Sequence, residues 1–405
     1  MERLEPLWAG RAELRAVPST HVAAVPPQKP LARSTKAIRT LPSQYFVRTE
    51  DTSRAAPPER AKSSPLVSVI LLTYNGAIWL ERCLDSLRQQ TIFERLEVIV
   101  ADNGSSDDTV PMAARLAQGW GMIIRHKVNL GYSEGNNRAA LQASGKYLFF
   151  LNPDTWLEPE CLERLVETAE RESATAVGPL VLEYANDSTQ REGGNGFDIF
   201  GFMSGPASGS RTREVLAVTG CSLLIEADAF RDLRGFDPEF FMYADEYDLC
   251  WRVWLSGGKV LLAPAARIHH RSAAAVNPKG HHEVLEARTS DTKRYYANRN
   301  NLLVLLKNCQ HLLLLLVFLQ VGLLTAEMFA LWALTRRWSH VRRAYLDALR
   351  DCWRMRHYVR AERARLNRVR RRGDFWMLRF ARARLNRWGE FQRFRRLGLP
   401  KVDCG

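Results

Sequence analysis

The stretch Val67-Ser-Val-Ile-Leu-Leu-Thr-Tyr-Asn-Gly76 decides the fold. Val67 to Leu72 is a short run of aliphatic and β-branched residues and predicts a buried strand. Tyr74-Asn75-Gly76 is turn text, and Ile78, Leu80, Leu84 and Leu87 then recur at helical spacing. Downstream, Leu96-Glu-Val-Ile-Val-Ala101 repeats the strand, Asp107 and Asp108 open a helix through Leu116, and Met122-Ile-Ile124 is a third strand. Lys146-Tyr-Leu-Phe-Phe-Leu151 is a fourth, ending at Asn152-Pro153-Asp154. Strands alternating with helices at this interval predict a three-layer α/β sandwich with a mainly parallel sheet. In such sheets ligands collect at the carboxyl ends of the strands, where Thr73, Asp102 and Asp154 all fall.

Further along, a Gly-, Ser- and Asn-rich segment at 185–212 reads as an active-site loop or an insertion. Structure resumes at Val215, with helices near 227–233 and from Asp245 to Leu255, closed by Gly257-Gly258. A strand follows at Lys259–Leu262, and His269-His270 lie beyond it. Upstream, half of the 18 prolines fall in residues 1–65 with no sustained apolar period, so 1–64 is expected to be a disordered extension. Residues 65–301 then form the α/β domain, 302–335 a hydrophobic segment, and 336–405 an arginine-rich helical tail.

The composition of the 405-residue chain, 46% apolar and 25% charged, excludes a wholly disordered or collagenous protein. Its net charge of +14 lies in the tail, where 21 Arg and one Lys face six acids over 336–405. Seven scattered cysteines without a C-x-x-C pair indicate neither a disulfide framework nor a zinc knuckle. The first 30 residues hold no apolar core of a secretory signal, so the body is expected in the cytosol.

Taken singly, Asp102-Asn103-Gly-Ser105-Ser-Asp107 and Asn152-Pro153-Asp154 are ordinary turns. Their order and spacing change the reading. Together with Val67–Asn75, Asn129-x-Gly131-x-x-x-Gly135-Asn136-Asn137 and Thr219-Gly220-Cys221, the chain resembles the family 2 glycosyltransferases, in particular their rhamnosyltransferase-like branch. The resemblance continues through Gly235-Phe236-Asp237, Asp245-Glu246-x-Asp248 and Tyr296-x-x-Arg299-Asn300. It implies a GT-A fold, a nucleoside-diphosphate sugar donor and a divalent cation, Mg²⁺ or Mn²⁺. It places Thr73, Asn75, Asp102, Asn129, Gly131, Asn136, Asn152 and Gly220 on the donor. Asp154 becomes the leading metal ligand, with Asn152 standing where many relatives carry a first carboxylate, and His270 lies near the phosphates or the metal.

An inverting transfer needs a base across the sugar from the diphosphate. Relatives present Glu-Asp-x-Asp; here the order is Asp245-Glu246-Tyr247-Asp248, so Glu246 by register and Asp245 by reach both stand as the base. Asp248 is read as structural, paired with Arg252 four residues on. His281-His282 match nothing in the family and read as solvated loop.

The 33 residues Leu302–Leu334 would make a helix of about 50 Å, longer than the roughly 30 Å hydrocarbon core of a bilayer. Both flanks are expected on the cytoplasmic side, which predicts an interfacial or re-entrant hairpin around Gln320-Val-Gly322, the alternative being a buried core helix pair because Lys307 and Glu327 interrupt the run. Aromatics interleaved with arginine in the tail, from Trp353 to Phe394, suit an anionic membrane surface better than nucleic acid. The sequence reading is thus an inverting glycosyltransferase on the cytoplasmic face of the membrane, moving rhamnose or another hexose to a lipid-linked or cell-surface glycan acceptor. A processive synthase is disfavoured by the missing Q-x-x-R-W motif. The rival from another class is a catalytically silent GT-A scaffold that binds membrane or nucleic acid through its tail.

Overall fold

A computed structural model describes residues 46–47, 64–184, 190–192, 196–204, 210–271, 288–383, 385–397 and 401–403. The expected extension 1–64 lies outside these residues apart from Phe46–Val47 and Ser64, as do His281-His282 and parts of the 185–212 segment.

Strand β1 (Val67–Thr73) is buried along its whole length. Its alternate side chains enter two different cores. Ile70 and Leu72 pack with Phe150, Phe236 and Trp254, while Val67, Val69 and Leu71 pack with Leu80, Leu84 and Leu165. A strand covered on both faces reads as one unbroken apolar run. It is followed by α1 (Ala77–Arg88), β2 (Leu96–Asp102), α2 (Thr109–Leu116), β3 (Gly121–His126), α3 (Gly131–Ala140) and β4 (Tyr147–Leu151). Then come β5 (Thr155–Leu157), α4 (Cys161–Glu172), β6 (Ala176–Glu183), β7 (Ser222–Glu226), α5 (Ala227–Asp232), α6 (Asp245–Leu255) and β8 (Val260–His270).

The sheet runs β3-β2-β1-β4-β7-β6-β8, flanked by Phe46–Val47 on β3 and Arg213–Glu214 on β8. β1 to β4 pair in parallel, as do β6 and β8, but β7 is antiparallel to both β4 and β6. The α/β sandwich is therefore mixed rather than mainly parallel. The reversal has a local effect: it sets Ser222 opposite Leu151, so the start of β7 meets the carboxyl end of β4 and Asn152 N donates to Cys221 O at 3.0 Å.

Strand β8 corrects a boundary. It continues past Pro264, through an irregularity between Ala263 and Arg267, and its far half pairs with β5, His270 opposite Thr155. The two histidines sit inside a buried strand rather than after one.

The carboxyl-terminal third holds α7 (Asp291–Asn308), α8 (Leu315–Thr335), α9 (Ala348–Arg354), α10 (Arg356–Val369) and α11 (Asn386–Leu397). The Ser290 side chain caps α7 by accepting from Lys293 N at 3.1 Å. Leu302 to Leu305 are buried in α7, and Leu303, Val304 and Leu305 join the core that holds Phe150 and Trp254. The break expected at Gln320-Val-Gly322 falls instead at Cys309–Leu314, where Asp374 accepts from Gln310 N (2.9 Å) and Leu313 N (2.8 Å). Gly322 sits mid-helix in open space. A helical glycine costs only about 1 kcal/mol, too little to end a 21-residue helix.

Much of the arginine tail folds onto the body. Arg372 donates to Gly257 O (3.0 Å) and Gly258 O (2.5 Å), Arg363 to Leu306 O and Cys309 O, and Arg370 to Asn308 O. Trp376 and Phe380 pack on Trp254, with centroids 5.1 and 5.0 Å away. Among these aromatics Trp353, Phe375 and Trp388 remain exposed.

Candidate active site

The carboxyl ends of β1 and β2 lie in register, Thr73 opposite Asp102. Asp102 is 1% exposed and spends its carboxylate on its own turn, accepting from Gly104 N (3.3 Å) and Ser105 N (3.2 Å). Asn75, at φ 49°, stitches the two loops: its Oδ1 accepts from Ser106 N and its N–H donates to Ser105 Oγ, both at 2.9 Å. Thr73 Oγ1 is buried without a hydrogen-bond partner. It borders Gly76, where an added Cβ would come within 2.6 Å.

Asn103, which sequence reasoning quoted but gave no role, ties this edge to the next loop. Its Nδ2 donates to Asn129 Oδ1 (3.1 Å) and Gly131 O (3.0 Å), and its Oδ1 accepts from Leu130 N (3.0 Å). Gly131, at φ 80°, is required twice over, because a Cβ there would lie 2.5 Å from Phe241. Asn136 donates to Tyr132 O at 3.0 Å, and its Oδ1 is a second buried acceptor without a partner.

At the end of β4, Pro153 packs near Gly76, 3.5 Å from where its Cβ would be. Asp154 faces His270, Oδ2 to Nε2 at 3.3 Å, and both are buried. Burial disfavours the charged imidazole, but Cys221 and Asp154 beside it outweigh burial and hold the His270 pKa well above the usual histidine value. Next in the chain is Gly220, whose carbonyl accepts from the Tyr132 hydroxyl at 2.6 Å. A Cβ on Gly220 would stand 3.3 Å from Glu246 Cδ, so the glycine forms the wall against which Glu246 lies.

Asp245 and Glu246 open α6. Asp245 is 3% exposed, with Ser133 Oγ donating to it at 3.4 Å. Burial raises its carboxyl from 3.8 to about 6, with hydrogen bonds from Glu246 and Ser133 offsetting part of the effect. Glu246 is only partly buried. Asp248 is structural, as expected: it pairs with Arg252 at 2.7 Å and with Lys307 at 2.9 Å, and accepts from Asn308 at 2.8 Å.

Thr73, Gly76, Pro153, Asp154, His270, Cys221, Gly220 and Glu246 thus form one run of neighbours, each beside the next in chain or space. Tyr132, an unassigned position of the Asn129–Asn137 motif, bridges the start of α3 to Gly220. A separate cavity of about 440 Å³ lies at the opposite end of the sheet, lined by Pro65, Arg95, Ser144, Lys146 and Asp228, and takes in none of these residues.

Among the described residues no group of three or more His, Cys, Asp or Glu side chains converges as a metal cage. Asp154 would offer one oxygen ligand and His270, once its proton is lost, one nitrogen. That pair fits a divalent cation that draws its remaining ligands from a diphosphate and water.

A profile of glycosyl transferase family 2 matches residues 68–234, which contain every strand end just described up to Gly220. The chain carries a family 2 glycosyltransferase domain. The fold of that domain is accordingly GT-A-like, an α/β sandwich around a mixed sheet. The O-antigen biosynthesis protein RfbC of Myxococcus xanthus is 29% identical over 272 residues, 60% of this chain but 21% of RfbC. This chain therefore spans about a fifth of that relative. The N-acetylglucosaminyl-diphospho-decaprenol L-rhamnosyltransferase of Mycobacterium tuberculosis H37Rv is 28% identical over 268 residues, 58% of this chain and 85% of that enzyme. Among solved structures, residues 1–349 of S. aureus TarS superpose with a TM-score of 0.49 at 16% identity, covering 75% of this chain and 89% of TarS.

Proposed function

We propose that the protein is an inverting glycosyltransferase that moves a hexose, rhamnose being the first candidate, from a nucleoside-diphosphate donor to a lipid-linked or glycan acceptor. The observation that carries the reading is the run of neighbours that joins Thr73, Asp154, Gly220 and Glu246. A buried acceptor without a partner at its start, Thr73 Oγ1, supports a polar ligand there, since such groups are costly to leave unsatisfied. The rhamnosyltransferase relative, named for a diphospho-decaprenol acceptor, supports the sugar and the lipid carrier.

In this reading Asn75, Asp102 and the Asn129–Gly131 loop receive the nucleotide, with Asn103 fixing the loop's shape. Asn152 borders the diphosphate, and Asp154 with His270 holds a Mg²⁺ or Mn²⁺ ion. When bound, the cation supplies Lewis-acid neutralisation of the leaving diphosphate. Glu246, on the accessible side of the α6 start, takes the proton of the acceptor hydroxyl. Asp245 lies beneath it and tunes its charge, so the two titrate as a pair.

The test is a panel of nucleotide sugars scored for donor hydrolysis with and without Mn²⁺, in the wild type, Glu246→Gln and Asp154→Asn. One donor should stand out, Glu246→Gln should lose about 10²–10⁴-fold in kcat, and Asp154→Asn should lose the response to Mn²⁺. Full activity in Glu246→Gln would refute the base assignment. No turnover of any donor would favour the silent scaffold.

The working location in this reading is an anionic membrane surface on its cytoplasmic side. α8 is long and apolar enough to cross a bilayer, and only 11% of its most apolar window is buried. Support for lying along the surface rather than crossing comes from its flanks. α7 before it and residues 340–352 after it join one another through Asn298–Ala344, Tyr295–Asp351 and Cys352–Arg299 hydrogen bonds. Its outward stripe, Leu315, Phe318, Leu319, Phe329, Trp332 and Leu334, ends beside Arg336, whose guanidinium lies over Trp332. Flotation with vesicles containing anionic lipid should fail for Phe318→Glu/Phe329→Glu. Unchanged flotation of that variant would remove α8 as the contact.

A further inference from the structure

The residues just before Asp245 carry backbone strain. Phe241, Tyr243 and Ala244 have φ values of 63°, 69° and 60°, in the left-handed region that side chains with a Cβ enter only at a cost. Such a loop keeps its shape only if its surroundings hold it.

The holding comes from α7. Asn300 is fully buried, and its Nδ2 donates toward three carbonyls of the loop, Phe240 at 2.8 Å, Met242 at 2.7 Å and Tyr243 at 2.9 Å. Its Oδ1 accepts from Arg299 Nε at 2.9 Å, which fixes which way the amide faces. The Arg299 guanidinium also donates to the carbonyls of Glu239 and, at 3.3 Å, Phe240. Tyr296 stacks on the Phe241 ring, with centroids 5.2 Å apart. From the opposite side, at the start of α3, Tyr132 N donates to Phe241 O at 2.5 Å. The loop is gripped between the donor-side segment and α7, and its last residue leads directly into the acids of α6.

We propose that Asn300, oriented by Arg299, is a positioning residue that clamps the strained 240–244 loop and thereby aims the first turn of α6, with Asp245 and Glu246, at the reacting sugar. Asn300 reaches no candidate donor or metal residue itself; it acts through the backbone of the loop. Three carbonyls around one amide nitrogen, with two hydrogens to offer, specify the curve of that backbone. Small errors of aim at a reacting centre cost about 10²-fold in rate. The kinetic part of this inference rests on the transferase reading; the clamp itself does not.

The experiment compares hydrogen–deuterium exchange and donor turnover in the full chain for wild type, Asn300→Ala, Asn300→Ala/Ala244→Gly and Arg299→Lys. In Asn300→Ala, amides of 241–246 should exchange at least about tenfold faster while those of β1 and β4 stay as in wild type. The kcat should fall about 10²-fold, with the affinity for UDP, GDP or dTDP within about threefold. Adding Ala244→Gly should recover part of kcat, because glycine takes a positive φ without strain; a merely structural defect in α7 would not respond. Arg299→Lys, which loses the planar fork, should loosen the same amides less. Unchanged exchange across 241–246 in folded Asn300→Ala overturns the clamp whatever the activity. If Asn300→Ala fails to fold, unchanged exchange in Arg299→Lys overturns it instead. Absence of any sugar-nucleotide turnover in the wild type overturns the transferase reading, and the exchange result still decides the clamp.

Discussion

Replacing Asp245 with asparagine should stabilise the fold while impairing turnover. The Asp245 carboxyl is pushed by burial from 3.8 to about 6, and it is 3% exposed, so solvent does little to relieve it. An acid whose folded pKa lies above its unfolded value costs nothing below about pH 4, where both states are protonated. The cost appears as the pH passes 4 and reaches its full size above 6. Taken on Asp245 alone, a gap of about two pH units corresponds to about 3 kcal/mol, an upper bound because Glu246 shares the titration. Asparagine keeps the shape, can still accept from Ser133, and carries no charge to strand. With an unfolding entropy of about 2.1 cal/mol/K per residue over roughly 300 ordered residues, the gain amounts to about 5 °C in Tm. Scanning calorimetry at pH 4 and pH 8 is the assay. Asp245→Asn should melt with the wild type at pH 4 and about 5 °C above it at pH 8. An equal gap at both pH values would refute the reasoning, since a neutral packing effect does not follow a titration.

Three further outcomes are expected. Lys307→Met removes the ammonium shared by Asp237 and Asp248, leaving Asp237 only the Tyr358 hydroxyl and Asp248 Arg252 and Asn308, and should cost about 3–5 kcal/mol in denaturant unfolding. Burial pushes the Asp248 carboxyl up, but Lys307 and Arg252 outweigh burial and hold it at about 2. A depressed acid contributes stability above its unfolded pKa that is lost as pH falls toward 2, so acid unfolding of the wild type should steepen below pH 4, and Lys307→Met should blunt that dependence. Gly131→Ala, facing both a positive φ and Phe241, should weaken nucleoside-diphosphate binding by at least about tenfold in calorimetric titration. Gly220→Ala, crowding Glu246 at 3.3 Å, should lower kcat with little change in nucleotide affinity; an equal loss of affinity would place Glu246 on the donor instead.

The four parallel strands and the two acids at their ends, Asp102 and Asp154, were legible because each is local: a β-branched run followed by turn residues has one reading. Asp248–Arg252 was legible for the same reason, at helical spacing. The orientation of β7 was not, since nothing in Ser222–Glu226 encodes its direction, and the sheet came out mixed. Leu302–Leu305 misled because an apolar run reads the same whether protein or lipid covers it. Lys307 inside that run was the available signal, because a buried ammonium demands a carboxylate. Its partners, Asp237 and Asp248, lie 70 and 59 positions away and leave no periodicity. Arginine alternating with aromatics was likewise ambiguous: Arg372 and Trp376 serve Gly258 and Trp254 rather than headgroups. Asn103 was masked by its place in an ordinary turn, and the role of Asn300 needed the three carbonyls it collects.

The Tyr358 hydroxyl donates to Asp237, in the same cluster that Lys307 neutralises, across a separation of 121 residues. During synthesis at about 5–20 residues per second, Asp237 emerges from the ribosome roughly 6 to 24 s before that hydroxyl exists. Through that interval the nascent sheet holds an acid whose final partner has yet to be translated. The domain cannot complete itself in order of its own sequence; Asp237 must wait for a hydroxyl 121 residues further on.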